Sequence, residues 1–136
     1  MDRRDFLIKS VTGVAVLGAA YCIGGCSSPT APSAPSNVDL TISLTDSANS
    51  ALLVTGGSIY KGGLIIINAG SGTYRAFSQT CTHEGSTVQY QSGLFYCPTH
   101  GSEFNATTGA VIRSPAGSPL KQYTVAATST SLHITG

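Results

Sequence analysis

The sequence predicts an all-β domain. Short Val/Ile/Leu/Tyr runs are separated by turn residues about every 8 to 12 positions. Sixteen glycines and abundant Ser and Thr punctuate the 136-residue chain, a composition that favours strands and turns over helix bundles. No segment carries a sustained helical period.

The elements follow in order. Val38, Leu40, Ile42 and Leu44 alternate with Asp39, Thr41 and Ser43, the pattern of a half-buried strand. Asp46 to Asn49 reads as a turn. Leu52-Leu53-Val54 reads as a second short strand before Gly56-Gly57, and Ser58 to Lys61 as a third, ended by Gly62-Gly63. Leu64 to Asn68 is a continuous apolar run, expected to be a central strand buried on both faces. Gly70-Ser71-Gly72 turns it into Thr73 to Ser78. Thr87 to Gln91 and Leu94 to Tyr96 flank a tight Ser92-Gly93 turn. Phe104, Thr108-Gly109 and Ala110 to Ile112 suggest a further hairpin, and Gln122 to Ala126 with Ser131 to Ile134 close the sheet.

With 41% apolar and 10% charged residues, the chain suits one globular domain. Its formal charge is +1. From Asn37 onward Lys61, Arg75, Arg113 and Lys121 balance Asp39, Asp46, Glu84 and Glu103. A neutral domain lacks the basic footprint that binds nucleic acid, so no nucleic-acid partner is expected.

Residues 1–26 read as a bacterial export signal. Met1 to Lys9 is charged, and Val11 to Ile23 is apolar but shorter than the roughly 20 residues that span a bilayer. A cleaved signal is expected rather than a permanent helix. Arg3-Arg4-Asp5-Phe6-Leu7-Ile8-Lys9 resembles a twin-arginine motif, a route that exports folded proteins. Ile23-Gly24-Gly25-Cys26 resembles a lipobox, in which Cys26 carries the lipid and becomes the mature N-terminus. Residues 27–37 form a Pro/Ser/Ala linker, expected to be unstructured or polyproline-like, and at roughly 3.1 Å per residue it reaches at most about 34 Å. The expected location is the bacterial cell envelope, with residues 38–136 as a domain anchored to a membrane by the N-terminal lipid or signal and facing the periplasm.

The chemistry sits in Cys81-Thr82-His83 and Cys97-Pro98-Thr99-His100, which the Ser92-Gly93 hairpin would bring side by side. Two thiols and two imidazoles admit three readings. One is a Cys81–Cys97 disulfide, plausible in an exported protein. Another is a structural Cys₂His₂ zinc site, although zinc arms usually carry two ligands of one kind. The third is an iron–sulfur cluster with two thiolates on one iron and two neutral imidazoles on the other. One Cys and one His per arm then gives each iron a ligand from each loop, and the neutral nitrogens raise the reduction potential. Gly85 and Gly101 would let backbone N–H groups approach the cluster sulfurs. Ser102 would offer its hydroxyl, stabilising the reduced form.

Cys81-Thr82-His83-Glu84-Gly85 and Cys97-Pro98-Thr99-His100-Gly101-Ser102 together resemble the Rieske [2Fe–2S] family. Phe104, Gly109, Pro115-Ala116 and Leu120 also fall where that family's downstream pattern places them. The resemblance covers roughly residues 52–127. It implies stacked antiparallel sheets with one cluster per chain near an exposed tip. It also implies Cys81 and Cys97 on the buried iron, His83 and His100 on the outer one, and Ser114-Pro115-Ala116-Gly117 as a covering loop.

The departures carry information too. The high-potential members of cytochrome bc complexes have a disulfide between the loops, where this chain has Ser86 and Thr99. Their tyrosine donor is Phe104 here, and an apolar tip residue is Glu84, an anion beside His83. These changes imply a potential below the top of the family's roughly −150 to +300 mV range.

A Rieske oxygenase would add an iron held by two histidines and a carboxylate. After His83 and His100 only His133 remains, in what reads as the final strand. The expected function is therefore electron transfer, as a carrier or small subunit of an oxidoreductase with no catalytic residue of its own. The expected partner is a redox protein: a cytochrome, a quinol-oxidising complex or a molybdenum enzyme. The alternative is the iron–sulfur subunit of a cytochrome bc-type complex, and a different class again is a cluster-bearing structural or sensor lipoprotein.

Overall fold

The computed structural model describes residues 32–136. The export signal, Cys26 and the first linker residues lie outside the described residues. Ten strands follow in order: β1 Asp39–Ser43, β2 Ser58–Lys61, β3 Leu64–Gly70, β4 Thr73–Ser78, β5 Gln89–Gln91, β6 Leu94–Tyr96, β7 Glu103–Asn105, β8 Val111–Arg113, β9 Gln122–Ala127 and β10 Ser131–Thr135. Six build an antiparallel sheet in the order β1-β10-β9-β4-β3-β2, and four build a second in the order β5-β6-β7-β8. The chain leaves the larger sheet after β4 and returns at β9. Everything expected to build the metal centre is therefore one insertion between two hydrogen-bonded neighbours.

The apolar run of β3 explains how the sheets share a core. Successive strand residues point to opposite faces. Leu64 and Ile66 enter one cluster with Ile42, Leu52, Ala76, Leu132 and Ile134. Ile65 and Ile67 enter the other with Phe77, Val88, Phe95 and Phe104, which is also where Cys81 and Cys97 are packed. β3 is an interior strand buried on both faces, as its sequence requires. Phe77 and Phe95 meet edge to face at 4.9 Å. This contact joins the strand before the first cysteine to the strand before the second.

Three two-residue hairpins have positive φ at each central residue: Gly62 (60°) and Gly63 (76°), Ser71 (53°) and Gly72 (71°), then Ser92 (46°) and Gly93 (92°). That geometry matches the right-handed twist of the flanking strands. The Ser92-Gly93 hairpin sets β5 against β6 in the register Gln91↔Leu94.

One expectation is corrected. Leu52-Leu53-Val54 is not a strand, because Ser47–Leu53 forms a 3₁₀ helix. The Asp46 carboxylate accepts the Ala48 N–H at 3.0 Å and caps it. Asn49 Nδ2 donates to the Ser43 carbonyl, and Asn68 Nδ2 to the Leu52 carbonyl, both at 2.8 Å. Asn68 thus takes the Leu52 carbonyl that a strand ladder would have used. Leu52 is buried, while Leu53 and Val54 face solvent.

The linker, expected to be unstructured or polyproline-like, touches the domain where it is described: the Pro35 carbonyl accepts the Tyr123 hydroxyl at 2.7 Å and Lys121 Nζ at 3.1 Å. Val38 then exchanges two backbone hydrogen bonds with Gly136, at 2.7 and 3.1 Å, to begin the sheet.

Candidate metal centre

Two loops of one design meet at the end of the small sheet. The Cys81 N–H donates to the Ser86 carbonyl, and the Cys97 N–H to the Ser102 carbonyl, both at 2.8 Å. The Gly85 N–H returns to the Cys81 carbonyl, and the Gly101 N–H to the Cys97 carbonyl, both at 2.9 Å. Those closures demand φ of 75° at Gly85 and 80° at Gly101, a region that glycine enters without a Cβ penalty. The glycine amides are therefore consumed within the loops. The His83 and Glu84 N–H groups approach the Cys81 sulfur and favour its thiolate.

Burial sorts the four expected ligands into two pairs. Cys81 and Cys97 are 3% and 1% exposed, both free, and near enough for their thiols to interact. Burial pushes the Cys81 thiol above its ordinary range. The His83 amide opposes that shift, and the neighbouring Cys97 thiol reinforces it. His83 and His100 are exposed, with ring centroids 4.8 Å apart and planes at 88°. The disulfide reading does not describe these free thiols.

Glu84 was expected to act beside His83. Its carboxylate also lies 3.6 Å from His100 Nδ1, across the gap between the loops. Donor atoms of His83, Glu84 and His100 lie within 4.8 Å of one another. Ser102 is fully buried, and its Oγ accepts the Ala116 N–H at 3.0 Å. Its own proton stays free to donate. Phe104, also fully buried, packs in the core and offers no donor.

The loop Ser114-Pro115-Ala116-Gly117 lies against this assembly, with Pro115 exposed and Ala116 buried. Besides Ser102, a second clasp holds it: Thr82 Oγ1 donates to the Ser118 carbonyl at 2.6 Å. Sequence reasoning passed over Thr82. Its position between Cys81 and His83 is a hint, but its partner is 36 residues away. His133 sits apart on β10, its Nε2 paired at 2.7 Å with the Asp39 carboxylate.

Two buried soft sulfurs, two exposed imidazoles and amides aimed at a sulfur fit an asymmetrically held [2Fe–2S] cluster. Comparison with known proteins agrees. The family model of the Rieske [2Fe-2S] domain matches residues 45–124. The cytochrome b6-f complex iron-sulfur subunit of Synechococcus sp. (strain JA-3-3Ab) is 32% identical, with 85% of this chain and 76% of that protein covered. The corresponding subunit of Chlorobaculum thiosulfatiphilum is 39% identical over 62 residues, where the match spans only a third of that protein (33%) and 44% of this chain. Among solved structures, the plasma membrane Rieske protein PetC3 from Synechocystis PCC 6803 superposes with a TM-score of 0.55 at 29% identity, covering 70% of this chain and 99% of that one. Fold, paired loops and family match converge: the chain belongs to the Rieske [2Fe–2S] domain family.

Proposed function

We propose that the domain transfers electrons through a [2Fe–2S] cluster bound by Cys81, Cys97, His83 and His100. The observation that carries this is the sorting of the four side chains, with thiols inside the core and imidazoles outside at a solvent-facing tip. When bound, the cluster supplies a one-electron couple near the protein surface. The chain's own residues do the rest. Cys81 and Cys97 hold the inner side within the aromatic core formed around Phe77 and Phe95. The His83 and Glu84 amides and the Ser102 hydroxyl place hydrogen-bond donors where negative charge accumulates on reduction. His83 and His100 face the partner, so no peptide layer separates them from an incoming redox protein.

The names of the relatives favour one partner class. Cytochrome b6-f iron–sulfur subunits support a place in a bc-type, quinol-oxidising complex rather than beside a molybdenum enzyme. Export by the twin-arginine segment, a lipid on Cys26 and a periplasmic position complete the reading. The test is a redox titration of purified protein followed by stopped-flow mixing of its reduced form with oxidised cytochrome c. One-electron titration and cytochrome reduction are the expected result. A protein with its cluster in place that exchanges no electrons would instead be a structural or sensor lipoprotein.

A further inference from the structure

We infer that Pro32–Pro35 is a docking strap, which makes the tether leave the domain beside the cluster loops and so holds the proposed electron-transfer tip towards the membrane. The membrane half of this inference rests on the reading of Cys26 as lipid-bearing.

The strap has two seats. At the near seat the Pro35 carbonyl takes both the Tyr123 hydroxyl and Lys121 Nζ, and Lys121 Nζ also lies 4.7 Å over the Tyr123 ring. Gly63 gives the Pro35 ring room, since a Cβ there would lie 3.0 Å from Pro35 Cγ. At the far seat Pro32 occupies the space above Gly85, where a Cβ would lie 2.6 Å from Pro32 Cδ and 2.7 Å from its carbonyl oxygen. Prolines three residues apart share one face of a polyproline helix, which suits two seats on one surface. Between the seats Ser33 and Ala34 face Cys81, Thr82 and His83 across a cavity of about 390 Å³.

The two metal-site loops make an internal comparison. Gly85 and Gly101 share the same backbone closure and nearly the same φ. Yet among the described residues a Cβ on Gly101 would meet nothing within 4 Å. Among the described residues the loops therefore differ in cover: the first carries the strap, and the second is open.

Docking changes the leash. From Cys26 to the start of the domain at Val38 the chain reaches about 37 Å, whereas from Cys26 to Pro32 only about 19 Å is available at 3.1 Å per residue. The volume open to the domain shrinks roughly eight-fold, and its centre moves from the edge of β1 to the first cluster loop.

The strap is tested on the exported, cluster-loaded protein and on its Tyr123→Phe/Lys121→Met variant, by timing proteinase K cleavage within residues 27–37. Loss of both donors is expected to speed cleavage of residues 32–36 about tenfold, with thermal unfolding of the core little changed. Equal cleavage rates overturn the strap. Should the double variant fail to fold, Pro32→Gly asks the same question from the strap side, with the same two outcomes. Orientation is read in phosphatidylcholine vesicles carrying a nitroxide headgroup lipid, from relaxation of the reduced cluster's EPR signal. Faster relaxation in the wild type than in the variant is expected. Equal relaxation in proteins that both float with the vesicles overturns the membrane-facing inference. Failure to float overturns the lipid reading of Cys26 and the membrane half with it, and the cleavage assay still decides the strap.

Discussion

Ser102 Oγ accepts the Ala116 N–H at 3.0 Å with both residues buried, so one hydroxyl ties the second cluster loop to the proline-containing loop. Its acceptor lone pair is used and its proton is free, which gives it two separable tasks. Ser102→Ala should cost about 1–3 kcal/mol by orphaning the buried Ala116 amide. It should also lower the reduction potential by about 20–65 mV, the one-electron equivalent of a hydrogen bond worth roughly 0.5–1.5 kcal/mol. Chemical denaturation and redox titration of the same sample separate the two effects.

Glu84 sets its carboxylate 3.6 Å from His100 Nδ1 at the exposed tip. Reduction adds negative charge there, so removing the anion favours the reduced form. Glu84→Gln should raise the potential by about 10–40 mV, small because solvent screens an exposed pair. The shift should shrink further in high salt. An unchanged potential at low salt would mean that the carboxylate is fully screened.

Gly85 and Gly101 offer a matched pair of substitutions. Each alanine has to take positive φ, at a cost of about 1–2 kcal/mol. Gly101→Ala should show that cost alone. Gly85→Ala adds an overlap with Pro32, so it should be the more destabilising of the two and the only one to expose the strap to protease. Urea unfolding beside timed proteolysis checks both statements.

Tyr123 gives the domain an alkaline edge. Burial pushes its phenol above the ordinary 10.0, and a hydrogen bond from Ser78 pulls the other way more weakly. Below about pH 10 folded and unfolded chains both keep the proton, and the stability is fully present. As pH rises above 10 the unfolded chain ionises first, so stability falls until the folded value is passed, by at most about 1.4 kcal/mol per pH unit. Tyr123→Phe should remove that slope in urea unfolding measured between pH 8 and 11.

Much of this arrangement was legible in the residues. The apolar run of β3 announced burial on both faces because two clusters claim its alternate residues. Ser71-Gly72 and Ser92-Gly93 announced the hairpins because positive φ at both central positions needs such residues. The Cys-x-His and Cys-x-x-His spacings marked the loops. What escaped was set by tertiary partners. Leu52–Val54 looks extended until Asp46 caps the helix at the Ala48 N–H and Asn68 takes the Leu52 carbonyl. Glu84 is adjacent to His83 in sequence but reaches His100 in space. The linker has no apolar period, and its seats on Gly63 and Gly85 are shapes rather than patterns.

The most direct test of the central claim is pulsed EPR of the reduced protein, which reads the ligands of the reduced iron through their nuclear couplings. Two imidazole nitrogens coupled to one asymmetric [2Fe–2S] signal are predicted, with one nitrogen coupling lost in His83→Cys and one in His100→Cys. A signal without nitrogen couplings, or zinc in place of iron in the purified protein, would contradict the proposed ligand set.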